Sequence, residues 1–116
     1  MKATVKGLLL KILSFFTVTK TTFTPTSGQS YANFGGCYYQ KQGNRVRVHI
    51  GMSGLTANGG NSVYTMPTGY RPETAVYTVG TAGALGYYAT VEIRANGVIY
   101  ITPTQPYCGA DIEYLI

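Results

Sequence analysis

Apolar and polar residues alternate most regularly over residues 45–52. Val46, Val48, Ile50 and Met52 fall on one side, and Arg45, Arg47 and His49 on the other. A period of two is what a half-buried strand requires, because successive side chains point to opposite faces. Weaker runs of the same kind follow. Ser62–Met66, Thr74–Val79 and Tyr87–Arg94 are rich in β-branched and aromatic residues, and Ala110–Ile116 sets Ile112 and Tyr114 against Glu113 and Leu115. Residues 17–26 (TVTKTTFTPT) suit an extended strand or linker that Pro25 ends, and Tyr31–Gln40 reads as a strand bulged at Gly35 and Gly36. Lys41–Asn44 supplies a hairpin turn, while Gly54–Asn61 and Gly80–Gly86 are loops.

Asn96-Gly97 marks a second hairpin, and its register can be argued. A two-residue loop would place Ile99 and Ile101 on the face of Glu92 and Arg94. A three-residue loop, Ala95–Gly97, puts glycine at the position that needs a left-handed backbone. It pairs Ile93 with Ile99 and Val91 with Ile101. A one-residue slip turns every side chain to the other face, so the second register keeps the core together. Pro103 and Pro106 then stop the strand.

The N-terminus obeys a different period. In residues 1–18, Val5, Leu9, Ile12 and Phe16 follow helical spacing. Lys11 and the Phe15-Phe16 pair argue against a secretory leader, and the run is too short for a membrane span. The expectation is a short helix or stalk segment over residues 1–20 that mediates oligomerisation, followed by one β domain over residues 21–116. About eight short strands with turn signals every 8–12 residues predict an all-β fold, an antiparallel jelly-roll-like β-sandwich.

Composition sharpens this picture. Charged residues make up only 11% of the 116, and 11 tyrosines carry much of the polarity. Residues 1–72 hold eight bases and no acid, whereas residues 73–116 hold four acids and one base, so the halves carry +8 and −3. A basic half suits a polyanion, but strands of the two halves could equally pair with their charges facing each other. Cys37 and Cys108 form no CxxC, which points to free, semi-buried thiols and leaves room for one bridge at most.

No catalytic constellation is evident. His49 is the one histidine and Asp111 the one aspartate, and there is no nucleophile elbow and no phosphate-cradling glycine loop. We expect neither enzymatic activity nor a cofactor nor a metal. Arg45, Arg47 and His49 form a basic stripe that is either a solvated sheet face or a contact for phosphate or carboxylate groups. The consecutive Tyr87 and Tyr88 must point to opposite faces, so at least one faces outward or an interface, and both are candidates for ligand contact; tyrosine stacks on sugars and bases alike.

The stretch VYTMPTGYRPETAVYTVGTAG, followed by YYATVEIRANGVIYI and a short final strand, resembles the C-terminal tip domains of bacteriophage tail fibres and baseplate proteins. The family's Leu/Met-Pro-x-Gly-Tyr-Arg-Pro element falls here on Met66, Pro67, Gly69, Tyr70, Arg71 and Pro72, and the resemblance covers roughly residues 34–116. It implies a homotrimeric receptor-binding head in the virion tail, joined to the rest of a fibre or baseplate and assembled in the bacterial cytoplasm. Such a head adheres without catalysis to a host-surface saccharide or wall polymer. The motif residues are then structural. Two other readings stand beside this one: an OB-like module for single-stranded nucleic acid, disfavoured by the scattered bases, and a trimerising cap that binds nothing.

Overall fold

The computed structural model describes residues 17–116, so the expected N-terminal helix lies mostly outside the described residues. The described chain is all-β. Its strands are β1 (Thr19–Thr22), β2 (Gln29–Ser30), β3 (Tyr38–Gln42), β4 (Arg45–Ser53), β5 (Asn61–Thr65), β6 (Val76–Thr81), β7 (Tyr88–Ile93), β8 (Val98–Pro103) and β9 (Cys108–Leu115). Every pairing is antiparallel. No helix among the described residues is long and apolar enough to cross a membrane.

The strands form one curled sheet, a half-barrel, in the order β1-β3-β4-β9-β6-β7-β8-β5, with β2 added beside β4. In place of two separate layers there are two halves joined by a single ladder pair, Thr81 with Gly109. Glycine makes that junction possible: a Cβ on Gly80 would lie 2.3 Å from the Gly109 carbonyl oxygen. The open side of the curl is bridged by a bulge. Register shifts between Ser62 and Tyr64 in β5, which leaves the Val63 carbonyl to accept from the Thr26 backbone N–H at 2.7 Å and its hydroxyl at 3.0 Å. Phe23 stacks on Tyr64 beside it, ring centroids 4.2 Å apart.

The core follows the alternation. Val46, Val48, Ile50 and Met52 of β4 are fully buried, and they meet Val91 and Ile93 of β7, Ile99 and Ile101 of β8, and Ile112 and Tyr114 of β9. Each such aliphatic side chain contributes about 1.5–3 kcal/mol of transfer free energy. The second hairpin adopts the three-residue register, with Ile93 opposite Ile99 and Val91 opposite Ile101.

Two segments depart from the reading of the sequence. Residues 31–37 are not a bulged strand: a 3-10 turn at Ala32–Phe34 is closed by Gly35 and Gly36, both left-handed at φ +85° and +68°. Two consecutive left-handed residues cannot continue a ladder, so the chain folds back over β4 instead. Its seat is Gly51, where a Cβ would meet the Phe34 carbonyl oxygen at 2.4 Å. The strand expected to begin at Thr74 begins at Val76 and extends through Gly80 and Thr81.

The connection from β5 to β6 does not join neighbours, because the β7–β8 pair lies between them. It passes beneath the tip of that hairpin. The Met66 N–H donates to the Gly97 carbonyl at 2.8 Å, and the Arg71 Nε donates to the Met66 carbonyl at 2.8 Å. The left-handed Gly69 (φ +94°) turns the path, and Pro72 is buried. The Tyr70 ring packs edge-on against Tyr39 at 5.0 Å, while its carbonyl accepts from the Tyr114 hydroxyl. Burial pushes the Tyr114 phenol above its ordinary range. Lys41 Nζ caps the turn, 3.0 Å from the Gly69 carbonyl oxygen and 4.9 Å from the centre of the Tyr70 ring.

Candidate functional site

The sheet has two unlike ends. At one end lie β1's first residue Thr19, the β3–β4 turn, the crossover at residues 66–75 and the β7–β8 turn. We call this end the base. At the opposite end, the tip, four loops converge: residues 31–37, 54–60, 82–87 and 104–107. The Leu55 N–H donates to the Pro106 carbonyl at 3.2 Å and the Asn58 N–H to the Pro103 carbonyl at 2.7 Å, so the second and fourth loops pack on one another. None of these four loops carries a charged residue.

The basic stripe is where the alternation puts it, on the outer face of β4, but β9 brings an acid to each member. Arg45 pairs with Glu113 at 3.1 Å. Arg47 and His49 both reach Asp111 Oδ1, at 3.2 and 2.9 Å. Burial alone would raise the Asp111 carboxyl, but the contacts with His49 and Arg47 outweigh it and hold the group below its ordinary value. The charges of the basic and acidic halves thus face each other across the β4–β9 ladder. The hollows along this stripe, of about 160 and 340 Å³, lie toward the base and are lined by Gln42, Arg45 and neighbours that include Glu113 and Leu115.

The outer face of the other half is neutralised in the same way. Glu92 of β7 accepts from Arg94, whose guanidinium lies 4.5 Å from the centre of the Tyr100 ring. The hydrogen bond from Arg94 and a further one from Tyr77 hold the Glu92 carboxyl below its ordinary value.

Tyr87 and Tyr88 are both exposed at the tip, beside the fully exposed Leu85. They are not alone. Tyr31, Phe34 and Tyr107 converge from two other loops: Tyr31 meets Phe34 edge-on at 4.9 Å and Tyr107 at 5.5 Å, and Phe34 lies 6.3 Å from Tyr107. With Gly83 they line a cleft of about 270 Å³. Gly83 is left-handed (φ +107°), and a Cβ there would press on the Tyr107 ring at 3.3 Å. Asn33 Nδ2 donates to the Tyr31 hydroxyl at 3.0 Å at the rim. These four residues are scattered over positions 31, 34, 83 and 107, and no local pattern joins them.

His49 connects the stripe to the tip. Its Nδ1 faces Asp111 Oδ1, and its Nε2 lies 2.6 Å from the Phe34 carbonyl oxygen. Tyr38 stacks on the ring at 4.9 Å, with Lys20 Nζ 4.2 Å from the centre of the Tyr38 ring.

Cys37 and Cys108 are free and buried. Burial raises both thiols, and the approach of Cys37 adds to the effect on Cys108, which is pushed up to about 12. Such thiols are not nucleophiles. Among the described residues no three His, Cys, Asp or Glu side chains gather to hold a metal. No protein-family model matches the sequence, and no curated protein matches it.

Proposed function

We propose that the chain is a tail-fibre or baseplate tip domain that adheres to a host-surface saccharide without catalysis. The observation that carries this reading is the polarity of the sheet. The chain enters β1 at the base, where Arg45, Arg71, Glu73, Arg94 and Glu113 lie, whereas all four tip loops are uncharged and two of them expose Leu85, Tyr87 and Tyr107. A fibre head needs that arrangement: a stalk at one end and a hydrogen-bonding, uncharged contact surface at the other. On this reading the residues before β1 form the stalk or oligomerisation segment, which ends short of the expected residue 20 because Thr19 and Lys20 already pair with β3. The two halves of the sheet act as the layers of a sandwich-like head, and three heads assemble as a homotrimer in the virion tail.

The nucleic-acid reading is less well supported. Arg45, Arg47 and Arg94 are each paired with a carboxylate, and Arg71 is bonded to a backbone carbonyl. The two readings predict opposite responses to salt. Saccharide binding measured on a glycan array should persist between about 50 and 200 mM salt, whereas nucleic-acid binding would fall steeply over that range. Retention on single-stranded DNA at low salt, with no glycan bound, would overturn the adhesion reading.

A further inference from the structure

The aromatic cleft has the chemistry of a specific kind of site. Three aromatic rings and Gly83 line it, and its polar groups are the phenol hydroxyls of Tyr31 and Tyr107, with the Asn33 amide bonded to the first of them. No cation lies in the loops that form it, so a carboxylate or phosphate would enter without a counter-charge. That charge pattern selects an uncharged occupant. At about 270 Å³ the cleft lies just under the ~300 Å³ where pockets for drug-sized ligands begin, which suits one ring better than a peptide. A sugar ring offers apolar C–H faces to aromatic rings and hydroxyls to a polar rim.

The loop that carries Tyr31 and Phe34 is held from below by His49. Both ring nitrogens face oxygen acceptors, a carboxylate on one side and a backbone carbonyl on the other. A neutral imidazole has one N–H and satisfies only one of them; the imidazolium satisfies both. Asp111 is kept ionised by Arg47 as well as by His49. The other faces of the ring meet Tyr38, with Lys20 beyond it, and Gly35, where a Cβ would lie 2.8 Å from His49 Nε2. The loop can approach this closely because residue 35 is glycine.

We propose that the cleft of Tyr31, Phe34 and Tyr107 binds one uncharged sugar ring, and that His49 is the positioning residue that holds its loop. This rests on the adhesion reading and names its ligand class and the residue that positions its site. Without the imidazole, the Phe34 carbonyl and the Asp111 carboxylate lose the group that joins them, and the 31–36 loop loosens.

The test uses the full chain. A glycan array first identifies a bound saccharide, and titration calorimetry then compares its neutral terminal monosaccharide with the corresponding uronic acid and sugar phosphate. The neutral form should bind best, and Tyr107→Ala should weaken it about tenfold, the loss of one good stacking contact. His49→Ala should weaken the neutral sugar as well, and His49→Gln, whose amide can still reach one of the two oxygens, should restore part of the loss. Tighter binding of the charged sugars, full binding by Tyr107→Ala, or full binding by His49→Ala would overturn the proposal while adhesion stands. An array with no bound glycan would overturn both.

Discussion

A methyl group added at Gly97 would lie 2.6 Å from the Met66 carbonyl oxygen and 2.7 Å from Arg71 Nε, at a φ of +91°. Two separate penalties therefore meet at one residue. The left-handed backbone costs any other L-residue about 1–2 kcal/mol, and the crossover beneath the hairpin leaves no room for a side chain. Gly86 separates the two, because it is left-handed at φ +85° but faces open space. In urea denaturation, Gly86→Ala should lose only the backbone term. Gly97→Ala should lose clearly more, because Met66 and Arg71 must move and their hydrogen bond is part of the crossover. Equal losses would show that the crossover yields freely.

The β4–β9 pair shows what an element adds to its residues. Register sets Arg47 opposite Glu113 and His49 opposite Asp111, so a face that is basic in one strand becomes neutral in the pair. The Asp111 carboxyl titrates below its ordinary value when folded. A depressed carboxyl contributes stability that is fully present above its unfolded value and is lost as pH falls through the folded one. Asp111→Asn should therefore be less stable than the parent at pH 7, by no more than about 1 kcal/mol because its side chain is 46% exposed. The gap should narrow at an acid pH below the ordinary carboxylate range, as the parent's own carboxylate becomes protonated. Urea midpoints at the two pH values check this, and a gap that stayed constant would mean the carboxylate charge is not its source. Strand β4 itself was legible in the sequence because its period of two is unbroken, and so was the Ile93–Ile99 register, because only one loop length keeps the isoleucines inside. The placement of β9 between β4 and β6 was not, since it depends on pairing across more than sixty residues, Arg47 with Glu113. Nor was the cleft. Gly35 and Gly36 looked like a bulge because the surface they fold onto, Gly51, lies elsewhere in the chain, and Tyr31 meets Tyr107 only after that fold has formed.

At the scale of the molecule, the adhesion reading assigns oligomerisation to the base and binding to the tip, two tasks that can be separated experimentally. Residues 17–116 enclose their own core: β4, β7, β8 and β9 bury their inward side chains against one another, and Thr26 with Val63 bridges the open side. We predict that the head folds without residues 1–16, whose apolar positions repeat at helical spacing. If those residues hold three copies together, the full chain should sediment as a trimer at micromolar concentration. A chain beginning at Thr17 should sediment as a monomer with an unchanged β-type circular dichroism spectrum. The shortened chain should also separate intrinsic affinity from avidity. The cleft lies at the opposite end of the sheet, so its affinity for a single sugar should not change, whereas binding to a dense glycan surface should fall by roughly 10²–10⁴ as three linked sites become one. A full chain that stays monomeric, or a shortened chain that remains trimeric, would remove the N-terminal segment from that role. Equal losses for single sugars and for dense surfaces would mean instead that the shortened head had lost its own structure.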